Sequence, residues 1–371
     1  MNARWILALF LTLVGMAPLY AEKPVKSVDL AICLDTSNSM DGLIDAAKIK
    51  LWRIVNDLAK IDPAPRLRVA LLSYGNNSHS PANGWVRKEV DLTYDIDEVY
   101  RKLFDLRTNG GTELVARVCR DALVDLKWSD DRTGLRIVFV CGNEPADQDK
   151  EVSLSSVVNL AKKKDVVVNT IYCQYGRPEE ESGWRLFSEL AGGKHAVIDQ
   201  NKKIAVIDTP YDKEIRDHND RINRTYVPLG RDGARGAANQ QAQDKNAADA
   251  SPVGGNERAI FKSSKLYNCE WDLCDKFKTD PKFDIGKVKE EDLPEEMRKL
   301  NKDQKLAYIQ KKIAERDEIT NKISDLAKKR AKYIEEAEKK LPAEKGDKAF
   351  DDAVRSIIKE QAKAKDMKIP E

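Results

Sequence analysis

Val28-Asp29-Leu30-Ala31-Ile32-Cys33-Leu34-Asp35-Thr36-Ser37-Asn38-Ser39 decides the fold. Residues 28–34 are almost continuously apolar, as a parallel strand covered on both faces requires, and the run ends abruptly in a carboxylate and hydroxyls. Outward from it, β-rich runs recur at 67–74, 135–140, 166–172 and 195–198, while 85–92 mixes charge with apolar residues and fits an edge strand. Between the strands, Leu43, Ala47, Leu51, Ile54 and Leu58 make one apolar helical face that stops before Asp62-Pro63. Ile96, Val99, Tyr100, Leu103 and Phe104 make another, Leu114, Val115, Val118, Ala122 and Leu126 a third, and Val157, Val158 and Ala161 a shorter one. Strands alternating with amphipathic helices predict an α/β fold, a doubly wound and mostly parallel sheet.

The chain has 371 residues, 41% hydrophobic and 34% charged, too long and too charged for one ordinary compact domain. Its 64 Lys and Arg against 62 Asp and Glu leave a net charge of +2, and without a basic block this argues against nucleic acid as a partner. Residues 1–21 carry a short positive segment through Arg4, an apolar run from Trp5 to Met16, and a turn ending in Ala21. That is the layout of a secretory signal peptide, so the mature protein is expected to be exported, periplasmic or extracellular, with no stable membrane insertion once the leader is cleaved. The α/β domain is then expected over 22–229. Residues 230–257 shift to Gly, Ala, Gln, Asn and Asp without large apolar side chains, which reads as a polar linker or a weak surface helix.

A helical region is expected over 258–371. Leu306, Ile309, Ile313, Arg316, Thr320, Ile323, Ala327, Arg330, Ile334, Ala337 and Leu341 hold successive a and d positions of a heptad, ending before Pro342. Phe350, Val354, Ile357 and Ile358 suggest a second helix folding back on the first. Arg316, Thr320 and Arg330 interrupt the seam, so a coiled coil with self-association and an intramolecular hairpin are both open. Of the six cysteines, Cys33, Cys119, Cys141 and Cys173 fall in apolar runs and read as buried free thiols; Cys269 and Cys274 could pair only in an irregular segment.

Three polar turns fall where strands end or helices begin: Asp35-Thr36-Ser37-Asn38-Ser39, Asn109-Gly110-Gly111-Thr112-Glu113 and Cys141-Gly142-Asn143-Glu144-Pro145. In a doubly wound sheet such loops converge where the strand order reverses. A carboxylate with hydroxyls and an open position suits Mg²⁺, although Ser37 or Ser39 could equally cap a helix. With D-x-S-x-S at Asp35–Ser39, the Thr112 loop and the alternation from Val28 to Ile198, about half of the chain resembles the von Willebrand factor A domain family.

The resemblance implies a Rossmann-like α/β fold with a metal-ion-dependent adhesion site. Asp35, Ser37, Ser39 and Thr112 are then implied as metal-site residues, and Asn143 stands where relatives reading G-D-x-P have the aspartate. The missing charge predicts weaker binding of Mg²⁺, or of Mn²⁺ or Ca²⁺, with Glu144 as a candidate for compensation. The implied partner is a protein or peptide offering an acidic side chain, with Asn76, Asn77, His79 and the Asn109 loop as candidate rim.

Enzyme readings find little support. A haloacid-dehalogenase-type phosphatase needs a second acid where Ser37 stands, and no G-x-G-x-x-G follows the first strand. There are three histidines, His79, His195 and His218, and Cys141 with His195 is the one thiol–imidazole pair worth weighing. The chain is therefore read as a non-enzymatic binding protein. The alternative is a structural protein of the cell envelope that assembles through its C-terminal helices and carries a metal-free head.

Overall fold

A computed structural model describes residues 25–174, 178–199, 207–340 and 347–369. The expected leader at 1–21, Leu341 and Pro342 lie outside the described residues, as do the side chains of Leu43, Ala47, Leu51 and Phe350. The chain runs through β1 (Ser27–Asp35), α1 (Asp41–Ala59), β2 (Arg66–Tyr74), β3 (Val86–Thr93), α2 (Ile96–Asp105), α3 (Val115–Asp125), β4 (Leu135–Gly142), α4 (Leu154–Lys164), β5 (Val167–Gln174), α5 (Glu181–Leu190) and β6 (His195–Asp199). There follow α6 (Asp212–Asn223), α7 (Gly230–Ala250), α8 (Pro252–Lys262), α9 (Leu273–Thr279), α10 (Glu295–Arg298), α11 (Lys302–Glu338) and α12 (Asp347–Ala364).

The strands form one sheet in the order β3-β2-β1-β4-β5-β6. β1 is parallel to both β2 and β4, β4 to β5 and β5 to β6, whereas the charged edge strand β3 is antiparallel to β2. This is the doubly wound order whose connections change direction at the central pair, so the crevice lies between the carboxyl ends of β1 and β4. Alternate residues of β1 face opposite layers, because strand side chains have a period of two. Leu30, Ile32 and Leu34 join Trp52, Val55, Tyr100 and Phe261 on one face; Ala31 and Cys33 join Val118, Ala122, Trp184 and Phe187 on the other.

The C-terminal helices complete the first of these faces. Residues 230–257 form α7 and the start of α8, with Gln240, Gln243 and Ala247 buried, so the segment is a packed helix and not a spacer. From α8 the buried Arg258 guanidinium pairs with Asp97 at 2.5 Å and Asp244 at 2.9 Å, and it lies 4.9 Å from the Trp52 ring and 5.0 Å from the Tyr267 ring.

α11 is the long helix that the heptad predicts, but α6, α8 and α9 of the same chain lie along it. The two seam arginines are anchors: Arg316 pairs with Asp272 at 2.9 Å and Asp275 at 2.7 Å, and Arg330 with Asp212 at 2.8 Å and Glu257 at 3.0 Å. The expected fold-back of the last helix onto α11 is corrected. α12 packs instead on α1 and β6, with Val354, Ile357 and Ile358 in the sheet-face core and Gln361 exchanging amide hydrogen bonds with Asn169 of β5 at 3.2 and 2.6 Å. An amphipathic helix seats where apolar surface remains uncovered, here on the sheet. All six cysteines are buried and free, Cys269 and Cys274 included.

Candidate metal centre

Backbone bonds knot three loops together at the β1/β4 switch point. The backbone N–H and hydroxyl of Thr36 both donate to the Tyr74 carbonyl, at 2.8 and 2.9 Å, tying the end of β1 to the end of β2. The Asn109 N–H donates to the Thr36 carbonyl at 3.0 Å, and the Asn77 N–H reaches the Gly110 carbonyl at 3.0 Å. Asn76 Nδ2 adds bonds to the carbonyls of Thr36 at 3.2 Å and Arg107 at 2.9 Å.

Close approach explains two glycines. Gly75 sits at φ +71°, in the left-handed region, and a Cβ there would lie 2.7 Å from Asp35 Oδ1 and 2.8 Å from Glu113 Cγ. A Cβ on Gly111 would come within 2.5 Å of the Gly75 carbonyl oxygen. The loops therefore meet only because side chains are missing at these points.

Within this frame the first loop turns on its own aspartate, as Asx turns do: Asp35 Oδ1 accepts the Ser37 N–H at 2.8 Å. Ser39 Oγ donates to Asn143 Oδ1 at 3.2 Å and lies 3.0 Å from Ser37 Oγ, whose hydroxyl also meets the Asp35 and Glu113 carboxyls. A line of oxygens thus runs from β1 to the loop after β4.

Two carboxylates are left unsatisfied beside that line. Asp35 is 0% exposed with Oδ2 lacking any hydrogen-bond partner, and Glu113 is 8% exposed with Oε2 in the same condition. Burial and then the neighbouring Glu113 charge hold Asp35 well above the usual carboxylate range. Burial and then the Glu144 charge push Glu113 up to about 7. Buried acids without partners are expensive unless protonated or paired with a cation, and Asp35 beside Glu113 makes this a place that a divalent ion would relieve. Among the described residues no three His, Cys, Asp or Glu side chains group as a metal cluster, so a cation here would depend on hydroxyl and amide oxygens as well. That donor set is the hard, oxygen-only one suited to Mg²⁺ or Ca²⁺.

Of the residues singled out from the sequence, the fold brings Asp35, Ser37, Ser39 and Asn143 together. Thr112 is exposed at the helix-proximal end of its turn. The expected rim is corrected in part: Asn76 and His79 are buried and brace the loop, His79 Nε2 lying 2.8 Å from Ser73 Oγ, while Asn77 and Asn109 are exposed. Glu113 was not among the expected site residues. Its only signal is that it follows Thr112 at the start of an apolar helical face, where an acid ordinarily favours the helix N-terminus. Cys141 and His195 do not pair; burial pushes the thiol up to about 12, and His195 Nδ1 sits 2.8 Å from Thr170 Oγ1 with Nε2 3.3 Å from Glu181.

The strand order and the D-x-S-x-S turn closing β1 at the switch point meet here in one place. The α/β part has the doubly wound strand order that the resemblance noted in the sequence leads one to expect. Among solved structures, the SpRpn10 VWA domain is 17% identical over 47% of this chain and 88% of its own, with a TM-score of 0.35. Proximal thread matrix protein 1 from the mussel byssus, solved with a zinc-occupied MIDAS motif, is 13% identical over 48% of this chain and 43% of its own, at a TM-score of 0.36. The pilus adhesin SpaC from Lactobacillus rhamnosus GG is 13% identical over 48% of this chain and 28% of its own, at 0.37. The chain thus spans less than half the length of the mussel protein. No family model matches it, and no curated protein does. Likeness at this level carries no residue roles across, so the roles in the α/β part rest on its own geometry.

Proposed function

We propose that the protein is an exported binding protein that recognises an acidic side chain of a protein or peptide ligand through a divalent cation in the crevice between β1 and β4. The observation that carries this reading is the pair of buried carboxylate oxygens, Asp35 Oδ2 and Glu113 Oε2, left without partners beside the Ser37–Ser39–Asn143 line. Ser37, Ser39 and Asn143 would hold the ion, buried Asp35 would supply it with negative charge, and Thr112 is exposed. When bound, Mg²⁺ or a similar ion supplies a Lewis-acidic position that an incoming carboxylate can occupy.

The chain's own contribution is to hold oxygens in place and to ration negative charge. Because Asn143 is neutral, the loop after β4 contributes a carbonyl oxygen without a charge, which favours an anionic ligand from outside. The exposed Asn77 and Asn109 flank the opening and offer amides to such a ligand. Export is supported by the leader-like residues 1–21, and among the described residues no helix is long and apolar enough to cross a membrane. The competing reading, envelope assembly through the C-terminal helices, is the less supported, because α6, α8 and α9 already lie along α11.

The test is binding of the full chain to peptides carrying a single Glu, or Gln in its place, with 5–10 residues of flexible spacer on each side, in MgCl₂ and in EDTA. Binding of the Glu peptide alone, abolished by EDTA with the circular dichroism unchanged, is the expected result. Equal binding of both peptides, or binding that persists in EDTA, overturns the proposal.

A further inference from the structure

We propose that Glu113 supplies, from the loop before α3, the second negative charge of the cation site that Asn143 does not provide. The inference rests on the cation reading above and gives Glu113, there only a buried acid beside the site, a charge-supplying role in it. Glu113 is one position beyond Thr112, arrives from a different loop than Asn143, and is 8% exposed although it carries a carboxylate. Its Oε2 has no hydrogen-bond partner, and Oδ2 of the fully buried Asp35 has none either. The two side chains meet at Gly75, where a Cβ would touch Asp35 Oδ1 at 2.7 Å and Glu113 Cγ at 2.8 Å.

In the ion-free protein the Glu113 carboxyl meets the side chains of Ser37 and Asp35, so the two acids are held together by a shared proton that a cation would displace. A glutamate at a helix start ordinarily turns outward to its own backbone N–H groups or to water; this one turns inward, with no cation among its hydrogen-bonding partners. The nearest buried guanidinium of α3, on Arg117, is already taken by Asp149 at 2.8 Å and Glu151 at 2.8 Å. Glu144, which follows Asn143, is only partly buried, and its backbone carbonyl is held by Trp184 Nε1 at 2.8 Å. Two carboxylates forced together out of water repel each other, and a divalent cation converts that repulsion into attraction to both. Asp35 and Glu113 thus give the site two formal charges, the number needed to balance a divalent ion, without an aspartate after β4.

Calorimetric titration of the full chain with MnCl₂ and MgCl₂ tests this, using Glu113→Gln, Asn143→Asp and the double variant. Glu113→Gln keeps the shape and removes the charge, and it should weaken Mn²⁺ binding on the order of 10- to 100-fold. Asn143→Asp alone should change affinity less than about threefold, yet in the Glu113→Gln background it should restore most of the loss, the non-additivity expected of two groups serving one ion. Equal binding by the wild type and Glu113→Gln overturns the assignment while leaving the cation reading standing. So does a wild type that fails to bind when Asn143→Asp binds. Absence of binding in all four proteins overturns the cation reading and this inference together. Should Glu113→Gln not fold, Asn143→Asp decides alone: a gain of tenfold or more shows that the charge was missing and overturns the proposal.

Discussion

Asp35 and Glu113 show how a site can be stored in the protein as unsatisfied chemistry. Each is buried with one oxygen lacking a partner, a condition that folded proteins avoid unless something else occupies the place. The ion-free protein must then keep a proton there, and the sign of the consequence is fixed. Glu113 is raised to about 7 in the folded state against about 4.3 when unfolded, so the folded state holds more protons between those values. Ion-free stability should therefore fall as pH rises from about 4.5 to 7. Asp275, pushed up to about 6 by burial, adds to the same window, so Glu113→Gln should remove part of the slope and leave the remainder. Urea unfolding at several pH values in EDTA measures this; an identical slope in wild type and variant would mean that Glu113 titrates normally. Asp35, Ser37, Ser39 and Asn143 are legible in the sequence because their loops fall at strand ends. Glu113 is not, since only the glycine-permitted approach at Gly75 and Gly111 turns an ordinary helix-start glutamate inward.

At the scale of elements, the buried parallel strands are the most legible, because β1 and β4 are covered on both faces and so read as unbroken apolar runs. α5 is harder to see: Trp184 and Phe187 pack on the sheet, but few apolar neighbours repeat at helical spacing around them. α7 is hidden for another reason. Its buried Gln240, Gln243 and Ala247 pack through small size and hydrogen bonds, Gln240 Nε2 reaching Tyr267 Oη at 3.0 Å, so no apolar stripe announces it. In α11 the heptad is real, while its polar interruptions mean something other than weak self-association. Arg316 lies 3.9 Å over the Tyr226 ring and binds Asp272, Asp275 and the Thr225 carbonyl, so it fastens α11 to α9 and the segment before it. Removing one member of such a buried cluster leaves the acids uncompensated. Arg316→Ala should lower unfolding free energy by about 3–5 kcal/mol in urea titrations. A loss below about 1 kcal/mol, the range of exposed pairs, would place Arg316 on the surface in solution.

For the molecule as a whole, the C-terminal helices are part of the head's architecture. α8 and α12 bring Phe261, Val354, Ile357 and Ile358 into the same core as β1 and β2, and the Arg258 cluster locks α8 to α2 through Asp97. The boundary drawn at residue 229 from composition therefore marks a change in how helices pack, with no gap in the core. This division of labour leaves the carboxyl ends of β1 and β4 as the place where three loops, two glycines and two unsatisfied acids converge. The central claim is that a divalent cation belongs there, and the most direct measurement is an anomalous difference map from crystals of the full chain grown with MnCl₂. The account predicts a strong peak bounded by Asp35, Ser37, Ser39 and Asn143. Ordinary solvent at that position, with manganese absent or bound only elsewhere, would contradict it.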